Sequence, residues 1–135
     1  MPKPTILAYV SGKGGAGKTI LAVAAAYELS KAHKTLLVDL DFYNRGLSGL
    51  FEGFKNFGSL QRPSFLEQVE DSEPLEWSIA EVSDGLFSVV YEDLTPGEMH
   101  AFATLKVQDL ESSLRTFVLS AAAAVDCDYV ILDCH

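Results

Sequence analysis

The sequence predicts an α/β fold: a mainly parallel sheet with helices on both faces, in three layers. Three observations predict it. Thr5 to Val10 (TILAYV), Thr35 to Leu40 (TLLVDL) and Tyr129 to Asp133 (YVILD) are short apolar runs, and the last two carry acid at or near their ends. Such runs suit strands buried on both faces of a parallel sheet. A glycine-rich stretch follows the first run at once, and an apolar helical stretch, Lys18 to Ala32, separates the first run from the second. Parallel neighbours need a crossover of this kind.

Each element has its own signal. Lys18 to Ala32 carries apolar residues nearly all round (Ile20, Leu21, Val23, Ala24, Tyr27, Leu29), which predicts a buried helix. Asp41 to Pro63 has no firm periodicity and is punctuated by Gly46, Gly49, Gly53 and Gly58. Phe65 to Glu70 reads as a short helix. Ser78 to Val82 and Leu86 to Tyr91 read as strands around Ser83-Asp84-Gly85. Thr95-Pro96-Gly97-Glu98 has the form of a helix start, with Thr95 as cap, Pro96 in the first helical position and Glu98 three residues after the cap. Helix is expected from there, with one break allowed, to about Val125, burying Leu110, Leu114, Phe117 and Ala121.

Composition bounds the reading. The 135 residues suit one domain, and nearly half are apolar, enough for a core. The longest apolar run, Ile20 to Tyr27, is too short to cross a bilayer. The N-terminal stretch lacks the apolar segment and cleavage site of a secretory signal. Two cysteines are too few for a disulfide framework, so a cytoplasmic protein with reduced thiols is expected. A net charge of −9 argues against non-specific nucleic-acid binding by this stretch. The local cluster Glu67, Glu70, Asp71, Glu73 and Glu76 reads as a solvated face or loop.

The chemistry concentrates in Gly12-Lys13-Gly14-Gly15-Ala16-Gly17-Lys18-Thr19. Gly12, Gly17, Lys18 and Thr19 meet the pattern G-x-x-x-x-G-K-[ST], which arises by chance in a chain of this length with a probability of roughly 0.5%. A strand before it and a helix after it strengthen the match. Glycines let the backbone curl until its N–H groups converge on phosphate oxygens, and the helix N-terminus adds its positive end. Lys18 is expected to reach the β- and γ-phosphates and Thr19 to ligate magnesium. Such a P-loop NTPase needs acid at the carboxyl ends of neighbouring strands, where open α/β sheets bind ligands. Asp39 and Asp41 at the second strand and Asp133 at the last supply it.

Lys13-Gly14-Gly15-Ala16-Gly17-Lys18-Thr19 resembles the deviant Walker A motif, K-G-G-x-G-K-[ST], of the ParA/MinD family of ATPases. Val38-Asp39-Leu40-Asp41 is similar to that family's switch I motif, and Val130-Ile131-Leu132-Asp133 to its Walker B strand. The resemblance implies ATP and Mg2+ as cofactors, with Gly12 to Thr19 and Ile20 around the nucleotide. It implies Thr19, Asp39 and Asp133 around the metal, and Lys13, Lys18 and Asp41 as catalytic residues. Lys13 would reach across a dimer to the partner's nucleotide, and Asp41 would hold the attacking water. It also implies an ATP-dependent homodimer, a cargo adaptor or activator protein as partner, and a switch that positions plasmids, chromosomes, division sites or other cargo. The segment from Phe42 to Gly58 is expected to be the mobile part of that switch.

Two departures stand out. Cys134 and His135 follow Asp133 where the family has a small residue and then Pro. Relatives also run well beyond this point, so residues 1–135 are expected to be the N-terminal portion of a single, longer domain. A sheet cut at one edge and exposed apolar helix faces are expected with it. Two other readings stay open: a P-loop synthetase of the dethiobiotin type or tyrosine kinase on the same scaffold, and an adaptor that binds nucleotide without turnover.

Other residues point to structure. Cys127 and Cys134 are spaced unlike close metal pairs and read as buried thiols. His33 suits a helix end, and neither His100 nor His135 has a second ligand beside it in sequence. Trp77, Phe51, Phe54 and Phe57 read as core packing or a loop anchor before a partner surface.

Overall fold

The structure is a computed structural model that describes residues 3–10, 17–40, 79–89, 96–97, 100 and 107–134. Its strands are β1 (Thr5–Tyr9), β2 (Thr35–Asp39), β3 (Ile79–Ser83), β4 (Leu86–Val89) and β5 (Tyr129–Asp133); its helices are α1 (Lys18–Ser30) and α2 (Val107–Val125). The expected loop at 41–63, the short helix at 65–70, the acidic cluster and the aromatic residues from Phe51 to Trp77 lie outside the described residues.

The strand order is β1-β5-β2-β4-β3. β5 lies between β1 and β2 and runs parallel to both, β2 and β4 are parallel, and β3 closes onto β4 as an antiparallel hairpin. The expected mainly parallel sheet is therefore present, with its antiparallel strand at an edge.

Side chains alternate across each strand, and the two faces bury different sets. On one face Leu36, Val38 and Val130 pack with Phe117, Val118, Ala121 and Ala122 of α2. On the other Leu37 and Ile131 pack with Ala22 and Ala26 of α1. Helices thus cover both faces. α2 ends at Val125 as expected, and Phe117, Ala121 and Leu114 belong to its packed side; the side chain of Leu110 lies outside the described residues. Asp126 turns left-handed (φ 52°). Its N–H bonds the Ala123 carbonyl at 3.2 Å and the Cys127 N–H bonds the Ala122 carbonyl at 3.1 Å, a paired closure that satisfies the last carbonyls. Pro96 and Gly97 are helical, in keeping with a helix start there.

Two expectations about burial are corrected. α1 is not buried all round: Ala22 and Ala26 are its buried residues, whereas Ile20 is 67% and Leu21 60% exposed. β1 is likewise exposed along most of its length rather than buried on both faces. The cause is shared. Among the described strands β1 is an edge, paired only with β5, and no described element covers the outer side of α1.

Two smaller boundaries also move. α1 ends at Ser30 rather than Ala32, because Lys31 and Ala32 donate to Glu28 and Leu29, three residues back, in a tightened last turn. Ser78–Val82 becomes Ile79–Ser83, with an irregularity between Glu81 and Ser83. Gly85 turns the hairpin at φ +77°, and a Cβ there would stand 3.0 Å from the Ser30 carbonyl oxygen. Its own carbonyl accepts the Thr35 N–H at 2.9 Å. Gly85→Ala is therefore expected to destabilise the chain by roughly 1–3 kcal/mol, through left-handed strain and this crowding. Urea unfolding measures it, and an unchanged midpoint would contradict the assigned turn.

Candidate phosphate and magnesium site

The parallel register gathers the site. Tyr9, Asp133 and Asp39 are direct neighbours across β1, β5 and β2, so the carboxyl ends of three strands lie side by side. The ladder continues past the strand ends: Cys134 N–H donates to the Tyr9 carbonyl at 2.9 Å and Leu40 N–H to the Asp133 carbonyl at 2.8 Å. Both acids are buried there. A buried carboxylate needs compensation, and α1 supplies it for Asp133.

Gly17 caps α1 in the left-handed conformation (φ 79°, ψ 5°). As a glycine it offers no capping side chain, and the first turn of α1 holds no acid of its own. A Cβ at Gly17 would meet nothing within 4 Å, so glycine is required there by its φ alone. The next two residues point into the sheet end. Lys18 Nζ lies 2.8 Å from Asp133 Oδ1 and also donates to the Cys134 carbonyl. Thr19 Oγ1 donates to Asp133 Oδ2 at 2.8 Å. The side chain of Asp133 is fully buried and that of Lys18 only 11% exposed, so the pair is shielded from solvent.

Of the residues singled out in the sequence, the structure brings Lys18, Thr19, Asp39 and Asp133 to one place. Ile20 follows them in the first turn of α1 with its side chain outward. Gly12, Lys13, Gly14, Gly15, Ala16 and Asp41 lie outside the described residues. One participant left no mark in the sequence: the Cys134 carbonyl that accepts from Lys18 is a backbone group, which no side-chain pattern announces. Its thiol is free and partly buried; burial raises its pKa, Lys18 opposes that rise and Asp133 adds to it. The other thiol, Cys127, is pushed up to about 11, first by burial. His33 is a surface group: its ring stands edge-on to Tyr129, and its Nδ1 is 3.6 Å from Asp128.

The donor set is a hydroxyl and two carboxylates, all oxygen, beside an ammonium and a helix N-terminus. That set suits magnesium held jointly by protein and phosphate oxygens. Among the described residues no group of three or more His, Cys, Asp or Glu forms a metal cluster of its own. A magnesium ion that draws most of its ligands from phosphate and water fits this count.

The family described as the CobQ/CobB/MinD/ParA nucleotide binding domain matches residues 7–131. The chain belongs to that family. No curated protein sequence matches it. Among solved structures it is similar to a plasmid partition protein from Borrelia burgdorferi, with 25% identity and a TM-score of 0.68, over 99% of this chain and 56% of that one. A Borrelia burgdorferi B31 partition-protein structure bound to AMPPNP gives 25% identity and a TM-score of 0.69, over 98% and 54% of the two chains. The septum site-determining protein MinD of Pyrococcus horikoshii with Mg-ADP shares the fold, at 19% identity and a TM-score of 0.66, over 98% and 49%. The chain spans about half the length of these relatives. Among its described residues no helix is long and apolar enough to cross a membrane.

The two thiols give a direct check on the site's packing. The thiolate is the reactive species, and a raised pKa leaves little of it at neutral pH. At pH 7.5 iodoacetamide is expected to alkylate Cys134 several-fold more slowly in the native chain than in urea, and Cys127 more slowly still. Peptide mass spectrometry follows both. Equal native and unfolded rates at either thiol would contradict the burial described.

Proposed function

We propose that this chain forms the phosphate-binding part of an ATP-driven dimerisation switch of the ParA/MinD type, which positions or partitions a cellular cargo. The observation that carries the reading is the convergence of Lys18 and Thr19, at the N-terminus of α1, on the buried Asp133. The family match and the relatives with AMPPNP and Mg-ADP support the choice of nucleotide and metal.

Phosphoryl transfer asks the protein for positioning and charge neutralisation more than for covalent chemistry. In this reading Gly12 to Thr19 and Ile20 surround the phosphates, and Lys18 places its ammonium on the β- and γ-oxygens. Thr19, Asp133 and Asp39 would hold magnesium through their oxygens. The chemistry the ion would supply is neutralisation of phosphate charge. Asp41 orients the attacking water. Lys13 acts in trans on the partner's nucleotide, so hydrolysis becomes conditional on a homodimer, and an activator or adaptor protein tunes it. With its reduced thiols the protein is assigned to the cytoplasm.

Lys18→Ala is expected to weaken ATP binding on the order of 100-fold, the loss of a charged hydrogen-bonding partner to phosphate. Calorimetry measures it, and unchanged affinity would remove Lys18 from the phosphates. Lys13→Ala and Asp41→Ala are expected to keep near-normal ATP affinity while phosphate release falls to background, because each is assigned to the transition state. Asp41→Ala should accumulate the ATP-bound dimer. Normal turnover by either variant in the full-length protein would reject its role.

A further inference from the structure

Beside Asp133 the chain places a cation of its own, the ammonium of Lys18. Lys18 Nζ sits 2.8 Å from Asp133 Oδ1, Thr19 Oγ1 donates to Oδ2 at 2.8 Å, and the Cys134 carbonyl accepts from the same ammonium. Both carboxylate oxygens are therefore engaged from within the chain, and the carboxylate has no exposed surface. The two engagements differ in what a metal would require of them. Thr19 can keep its hydrogen bond, since its oxygen retains lone pairs for a cation while its proton remains on Asp133. Lys18 cannot stay. An ammonium has no lone pair to give, and a divalent ion beside it meets repulsion in a shielded setting.

We propose that Lys18 acts as a built-in lock on the metal position: it excludes free divalent cation from Asp133, and a bound polyphosphate releases the lock by drawing the ammonium away. This inference rests on the nucleotide-binding reading above and adds an order of events to it. The exchange is a change of partners on both sides. Lys18 leaves a carboxylate for phosphate oxygens, and Asp133 gives up an ammonium for the metal's shell. Neither half is favourable alone. Removing Lys18 without a replacement cation strands a buried carboxylate, and adding the metal without removing Lys18 crowds two cations. Polyphosphate and metal are thereby coupled, each raising the affinity for the other as linkage requires. A strongly hydrated ion such as magnesium, which dehydrates reluctantly, has little means of displacing the lysine unaided.

Mn2+ serves as the probe, titrated into the 135-residue chain without nucleotide and followed by electron paramagnetic resonance. Asp133→Asn, measured in parallel, reports cation held elsewhere on this acidic surface. The wild type is expected to bind Mn2+ no more tightly than Asp133→Asn. Lys18→Gln is expected to bind it at least tenfold more tightly, and Lys18→Gln/Asp133→Asn to lose that gain. Wild-type binding tenfold tighter than that of Asp133→Asn would overturn the lock, whether or not Lys18→Gln folds. So would a folded Lys18→Gln, checked by circular dichroism, that shows no gain, or a gain that survives loss of Asp133. A separate titration with ATP and magnesium together distinguishes the two levels: no ATP binding would reject the nucleotide reading, while the Mn2+ arms would still report on the lock.

Discussion

The insertion of β5 between β1 and β2 is the constraint on which the rest depends. Three parallel strands in register bring Tyr9, Asp133 and Asp39 to one line at the carboxyl end of the sheet. α1 leaves that same end, so its first two side chains, Lys18 and Thr19, reach the acid of the middle strand. Moving β5 to any other place would separate the helix that provides positive charge from the carboxylate that needs it. The pairing also explains the depth of the site. Asp133 lies between two neighbouring strands and is fully buried, and its partners come from one helix turn.

Packing supports this end from both faces. The small side chains Ala22 and Ala26 let α1 lie close to Leu37 and Ile131, and Phe117 fills the opposite layer beside Val38 and Val130. A buried ion pair contributes little net stability relative to an apolar replacement, but losing one partner alone costs about 3–5 kcal/mol. The Lys18–Asp133 contact is therefore not chiefly a device for stability. The buried neighbour Asp39 keeps a second acid beside the first, which suits a site that receives a divalent charge.

Much of this was legible in the residues. β2 and β5 announce themselves because a strand buried on both faces writes an uninterrupted apolar run, and Asp39 and Asp133 close those runs. Gly17 is legible because left-handed backbone demands glycine, and its φ of 79° bears that out; Lys18 and Thr19 are legible from the motif they complete. The exposure of α1 and β1 was not legible. Ile20, Leu21 and Ile6 look the same in sequence whether or not a neighbour covers them, and burial depends on elements far along the chain. The strand order was hidden for the same reason, since Thr5 meets Tyr129 only through long-range pairing. The Cys134 carbonyl was invisible because every residue carries one. Lys13 and Asp41, read from motif and resemblance, lie outside the described residues, and their roles stand as proposals.

This sheet end is proposed to recognise phosphate rather than a base or a sugar. Displacement of a fluorescent ATP analogue from the 135-residue chain, with magnesium present, tests it most directly. Inorganic triphosphate is expected to compete about as well as ATP, while AMP and adenosine fail. Competition by adenosine equal to that of ATP, or failure of triphosphate to compete, would contradict the account.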